Sequence, residues 1–273
     1  MATTIQNPPA KNPNGDPEEG DLNGKQMSFL EHLEELRVRL LHSIYAIVIA
    51  AGVSFFLADH IYGYLEKPLT DTLAQLHQPQ LNLVYLNPVD PLNLYIKLAL
   101  ISGLFFSSPY VLLQLWLFIS PGLYRNEKRY IWPFVLLTSG LFIFGGFFAY
   151  RLAFPPALKF LVSYGHRFTP MVSINEYWDL ITTVMLACGL VFELPVVILL
   201  LSLFGIITPK FLIKNFRYAI LITAILAAAI IPSNDPMSLF IVWIPLVGLY
   251  VLSIGLSWLV YLRKRRTKRN AEA

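Results

Sequence analysis

Six long apolar runs, separated by charged or proline-rich segments, organise the chain: residues 38–58, 96–118, 131–150, 180–204, 216–231 and 237–262. Crossing about 30 Å of hydrocarbon takes roughly 20 helical residues. The pattern therefore predicts an all-α polytopic membrane protein with six transmembrane helices. The fifth run is the shortest and stops at Pro232. A helix of that length must thin the bilayer or stop short of one face. The tight turn Pro232-Ser233-Asn234-Asp235-Pro236 lets runs five and six read as a shallow hairpin of short helices, with five spans and a re-entrant loop as the alternative. The second half is not a copy of the first, which argues against an inverted-repeat architecture.

The segments between the runs differ in character. Residues 59–95 mix Leu and Tyr with Pro68, Pro79, Pro88 and Pro91, the pattern of a packed cap rather than a free tether. Residues 151–178, with Pro155, Pro156, Pro170 and Trp178, read as a second piece of it. Between runs two and three the chain turns at Pro121-Gly122 and presents Glu127 among Arg125, Lys128 and Arg129. Residues 1–27 are polar and rich in Asn, Pro and Gly, without the basic start and apolar core of a secretory signal, and are expected to form a disordered cytoplasmic tail. Residues 263–273 form a basic cytoplasmic tail.

Composition agrees: 56% of residues are hydrophobic and 14% charged, against about 25% charged in soluble domains. The net charge of +4 does not point to nucleic acid, because the basic residues sit at the ends of apolar runs. Of 21 Lys and Arg, only Lys67, Lys97, Arg151, Lys159 and Arg167 fall in the segments on one side. The excess on the other side places both termini in the cytoplasm. The single cysteine, Cys188, lies inside an apolar run and reads as a packing residue.

Polar groups inside or beside the runs carry the chemistry. Glu193, in Val191-Phe192-Glu193-Leu194-Pro195, is a carboxylate deep in a span, where insertion costs about 3 kcal/mol. Such a group must meet a cavity, a partner helix or another polar side chain, or take up a proton. Gln114 in run two and Thr183 are candidate hydrogen-bond partners, and Pro195 frees a backbone carbonyl nearby. At the start of run one, His32-Leu33-Glu34-Glu35-Leu36-Arg37 forms an amphipathic turn. Arg37 and Arg39 are what membrane orientation asks for, but an anionic leaflet repels acids there. Glu35 and Glu127 are thus candidates for holding an incoming cation, with internal ion pairing as the plain alternative. Paired carboxylates suit guanidinium groups, which bind them bidentately. Asp235 reads as a turn or capping residue. No His-Glu-x-x-His pair, Gly-x-Ser-x-Gly elbow or phosphate loop occurs, and no histidine has a partner at ligand spacing, so neither an enzyme, a metal site nor a cofactor is expected.

From about Ser28 to Leu262 the chain resembles the TatC family, the multi-spanning core of the twin-arginine protein translocase. The resemblance rests on His32-Leu33-x-Glu35-Leu36-Arg37, Pro68, Phe118-x-x-Pro121-Gly122-Leu123-x-x-x-Glu127-Lys128 and Phe192-Glu193-x-Pro195, in that order. It implies a cup-shaped six-span domain over 28–262 in the inner membrane of a prokaryote. Such a domain recognises twin-arginine signal peptides of folded substrates on the cytoplasmic side, and proton-motive force drives transport. Glu35 and Glu127 would contact the signal's arginines, on a surface shaped by Arg37, Phe118, Pro121, Leu123, Tyr124 and Lys128. Glu193 with Gln114 would meet TatA- and TatB-type single-span partners, and Pro68 and Pro195 would be structural. Self-association and lipid contact are also implied. Without the resemblance, the competing reading is a proton-coupled small-molecule transporter using Glu193.

Overall fold

The computed structural model describes residues 29–75, 83–119, 131–164, 171–231 and 235–271. The N-terminal tail and the 120–130 loop, with the expectations placed on them, lie outside these residues. The helices are α1 (Phe29–Phe56), α2 (Ala58–Leu65), α3 (Lys67–Gln75), α4 (Asp90–Ile119), α5 (Ile131–Phe148), α6 (Phe154–Tyr164), α7 (Ile174–Val191), α8 (Leu194–Leu203), α9 (Pro209–Lys214), α10 (Phe216–Ile230) and α11 (Pro236–Ala271). A π-helical turn, Ala149–Ala153, joins α5 to α6.

Five helical stretches are long and apolar enough to cross a membrane: Leu30–Phe56, Asp90–Ile119, Trp132–Tyr164, Ile174–Leu203 and Pro236–Leu262. α10 is the sixth apolar helix and the short one, at 15 residues. By the helical rise it is roughly 22 Å long, less than the hydrocarbon thickness. The sixth run, expected to be short as well, is instead part of a 36-residue helix that continues through the basic segment to Ala271. Asp235 starts it: its Oδ2 accepts the backbone N–H of Ser238 at 2.7 Å, the capping role expected of it. α1 likewise begins earlier than the apolar run. The amphipathic turn around Glu35 is its first turns, with Glu31 favourably placed at the positive helix end.

Prolines locate the irregularities. Pro109 lies inside α4 and cannot donate to the carbonyl of Phe105; the Ser108 hydroxyl donates there at 2.7 Å, and the helix runs on. Pro155 and Pro156 cannot donate to the carbonyls of Arg151 and Leu152, and the ladder is π-helical there. Pro195 frees the carbonyl of Val191, and the fourth span breaks at Phe192 and Glu193 between α7 and α8. α8 closes in a glycine-terminated cap. Gly205 has φ +77°, its N–H donates to Ser202 O at 3.1 Å, and Ile206 N–H donates to Leu201 O at 2.9 Å. Substituting Gly205 with Val is expected to cost about 1–2 kcal/mol, read as a lower Tm of the detergent-purified chain.

α1 packs along α4, α5 along α7, and α8 and α10 on α11. Ser202 of α8 donates to Ser257 of α11 at 2.7 Å, a buried polar tie between spans. Between α2 and α7 lies the expected cap. Ala58, Leu69, Leu73, Phe154, Leu158 and Trp178 share one buried cluster. Val84 and Ser173 form a parallel bridge, in which Ile174 N–H donates to Val84 O at 2.9 Å. The Tyr177 hydroxyl donates to Leu65 O at 2.9 Å. The two proline-rich segments are thus one packed unit, as their composition predicts.

Candidate functional site

At the end of the bundle where α1 begins and α4 ends, the early turns of α1 meet the last turns of α4. Glu35 and Arg39, one helical turn apart, form an ion pair at 3.1 Å. A second guanidinium nitrogen, Arg39 Nη1, donates to Gln114 Oε1 of α4 at 3.2 Å. One turn below Glu35 and one turn beyond Gln114, His32 stacks on Phe118, ring centroids 4.4 Å apart at 14°. Two contacts therefore lock the segment 32–39 to the end of α4, from which the Glu127 loop departs.

Glu35 is left half used. Its side chain is 19% exposed, one oxygen holds Arg39, and Oε2 is buried with no hydrogen-bond partner among the described residues. A carboxylate oxygen in that condition carries an unpaid desolvation cost of about 1–3 kcal/mol, which an external donor would relieve. Arg39 fixes the carboxylate and its charge, and the second oxygen is the one available to a further cation.

Gln114, a candidate by sequence for pairing with Glu193 or lining the same cavity, accepts from Arg39 through its side-chain oxygen, and no Gln114–Glu193 hydrogen bond occurs among the described residues. Glu193 occupies the break in the fourth span. Its backbone carbonyl accepts from Val196 and Val197 at 3.0 Å each, while its side-chain Oε1 is buried without a partner among the described residues. Phe192 beside it packs on Phe144 and Phe148, ring centroids 5.9 and 5.4 Å away, and Pro195 is buried.

Pro68 is buried in the first turn of α3, where its missing N–H costs nothing, and Thr72 donates to its carbonyl. Arg37 is exposed, and its i, i+2 spacing puts it off the Glu35 face. Pro121, Leu123, Tyr124, Glu127 and Lys128 lie outside the described residues. Two participants escaped the sequence reading. Arg39 was taken for an orientation charge, although its i, i+4 spacing from Glu35 was the available signal. The stacking of His32 needed the packing of α1 on α4.

Residues 31–245 match the family model of the Sec-independent protein translocase protein (TatC). The chain is 46% identical over 248 residues to the Sec-independent protein translocase protein TatC of Koribacter versatilis, covering 91% of each. It is 36% identical over 246 residues to that of Aquifex aeolicus, covering 89% of this chain and 100% of the relative. A crystal structure of the twin arginine translocase receptor TatC superposes with a TM-score of 0.70 at 37% identity, covering 85% of this chain and 100% of that one.

Proposed function

This chain belongs to the TatC family of Sec-independent protein translocase proteins, and from that premise we propose that it is the signal-peptide receptor and scaffold of a twin-arginine translocase. The observation that carries the reading is the half-used carboxylate of Glu35, held by Arg39, which is itself bonded to Gln114, beside the stacked His32–Phe118 pair. The paired arginines of a signal peptide enter at this face. One guanidinium meets Glu35 Oε2, and the other meets Glu127 on the loop that leaves α4. The apolar part of the signal then runs along the spans.

In this reading both termini are cytoplasmic and the chain sits in the inner membrane. Glu193 offers its buried oxygen to a polar group on a TatA- or TatB-type single-span helix. Residues 1–27 form a cytoplasmic tail, 28–262 the membrane domain and 263–273 a basic cytoplasmic end. The likeness to translocase proteins gives the small-molecule transporter no support.

Photo-crosslinking tests the receptor role. A photoreactive residue at position 36 or 126 is expected to label a twin-arginine signal peptide in membranes and not its Lys-Lys form. Equal labelling of both peptides, or of neither, removes Glu35 and Glu127 from recognition of the signal.

A further inference from the structure

The cap holds a cleft of about 420 Å³ that none of these roles uses. Its lining is basic: Lys67, Arg151 and Lys159 stand against the single carboxylate of Asp71, with Tyr150 and Leu152 completing the wall. Few cations lie at this end of the bundle. Among the described residues they are Lys67, Lys97, Arg151 and Lys159, and three of the four line one cleft.

Lys97 is neutralised by Asp179 at 2.8 Å, but among the described residues no ion pair joins the three cleft cations to a carboxylate. Lys67 lies over the Tyr64 ring at 4.6 Å, and Lys159 donates to the neutral Gln75 Oε1 at 3.4 Å. Three gathered cations facing a single carboxylate leave an excess of positive charge, whose mutual repulsion an anion removes. The backbone is also built around the cleft. Tyr150, Arg151 and Leu152 belong to the π-helical turn, a feature frequent at functional sites. The Tyr150 hydroxyl pins that turn to α2 by donating to Tyr64 O at 2.6 Å.

Depth identifies the anion. The third span starts at Trp132, and Arg151 follows it by roughly 28 Å along the helix axis, close to the thickness of the hydrocarbon core. A span that enters the hydrocarbon at Trp132 therefore reaches the opposite headgroups near Arg151, beside the half-exposed Leu152. Guanidinium and ammonium groups converging at that depth recognise a phosphate that carries no compensating positive charge.

We propose that this cleft binds the phosphate of an anionic phospholipid headgroup, at the membrane face opposite the basic ends of the chain. The site does not depend on the signal-peptide reading, since a headgroup plane lies at this depth in either orientation.

The test is lipid retention by the full-length chain in detergent, read by native mass spectrometry with phosphatidylglycerol and phosphatidylcholine. Phosphatidylglycerol is expected to be retained in preference. The triple variant Lys67→Gln, Arg151→Gln, Lys159→Gln should weaken it on the order of a hundredfold, and Arg151→Gln alone about fivefold. Asp71→Asn, which removes the one acid, should strengthen retention, so the proposal stays testable even if the triple variant does not fold. Equal retention of both lipids, or unaltered phosphatidylglycerol binding by a folded triple variant, overturns it. Inorganic phosphate and glycerol 3-phosphate are offered in parallel. Binding of either as tight as that of the lipid, and lost in the same variants, would make this a site for soluble phosphate and overturn the lipid assignment.

Discussion

Replacing Glu35 with Gln is expected to lower the affinity for a twin-arginine signal peptide about ten- to a hundredfold and to abolish export of a twin-arginine reporter, while the protein still inserts and folds. The size of the effect follows from the free oxygen. A hydrogen bond to a charged group contributes roughly 1.5–3 kcal/mol, and each 1.4 kcal/mol is tenfold in affinity. Gln keeps the shape and an acceptor for Arg39, so the α1–α4 contact through Gln114 survives. What it removes is the charge that pairs with the peptide. Glu127→Ala should have the same export phenotype, because the second arginine loses its partner. Normal export by both variants would mean that these acids serve only internal ion pairs, as Glu35 does with Arg39. Peptide affinity and reporter export, measured beside the chain's level in membranes, separate loss of recognition from loss of protein.

Gly145→Val is expected to damage the fold severely, lowering Tm steeply or preventing recovery of a monodisperse protein from detergent. A Cβ at Gly145 would lie 2.8 Å from Cys188 O and 2.9 Å from Gly189 Cα and Phe192 Cβ. Two of these are backbone atoms of α7, which cannot rotate away, so α5 would have to withdraw from the helix it packs against. Overpacking of this kind typically costs about 1–3 kcal/mol and sometimes more. In a membrane interior it also forfeits the close helix contact that small residues permit. The disturbance reaches function because the same contact seats Phe192, next to Glu193 at the helix break. Gly140 is the control: a Cβ there meets nothing within 4 Å. Gly140→Ala should leave Tm unchanged or raise it slightly, since Ala is better than Gly in a helix by up to about 1 kcal/mol. Equal tolerance of both substitutions would show that α5 and α7 do not approach as closely as described.

How far the site could be read in the sequence depended on whether a residue's meaning was local. Glu193 declared itself because an acid within an apolar run is costly wherever its neighbours lie, and Pro195 two residues on was legible as freeing a backbone carbonyl nearby. Asp235 was legible as a cap because capping involves only the next turn of chain. Gln114 was not legible. An amide in a span has several polar groups within conceivable reach, and its partner, Arg39, is 75 residues away in sequence. Arg39 itself was hidden by a sufficient simpler explanation, that cations accumulate at the cytoplasmic ends of spans.

The chain by itself determined its class and its spans, because hydrocarbon leaves a backbone no partners but its own and makes each long apolar run a helix. Charge placement supplied the expected orientation. Only the tertiary structure decided that the last helix runs unbroken through the basic end, and that Glu35 is held by Arg39, itself bonded to Gln114, with one oxygen left over. Only it gathered three isolated cations into a single cleft. Each of these joins side chains far apart in sequence, and such partners are chosen by how closely one helix packs against another.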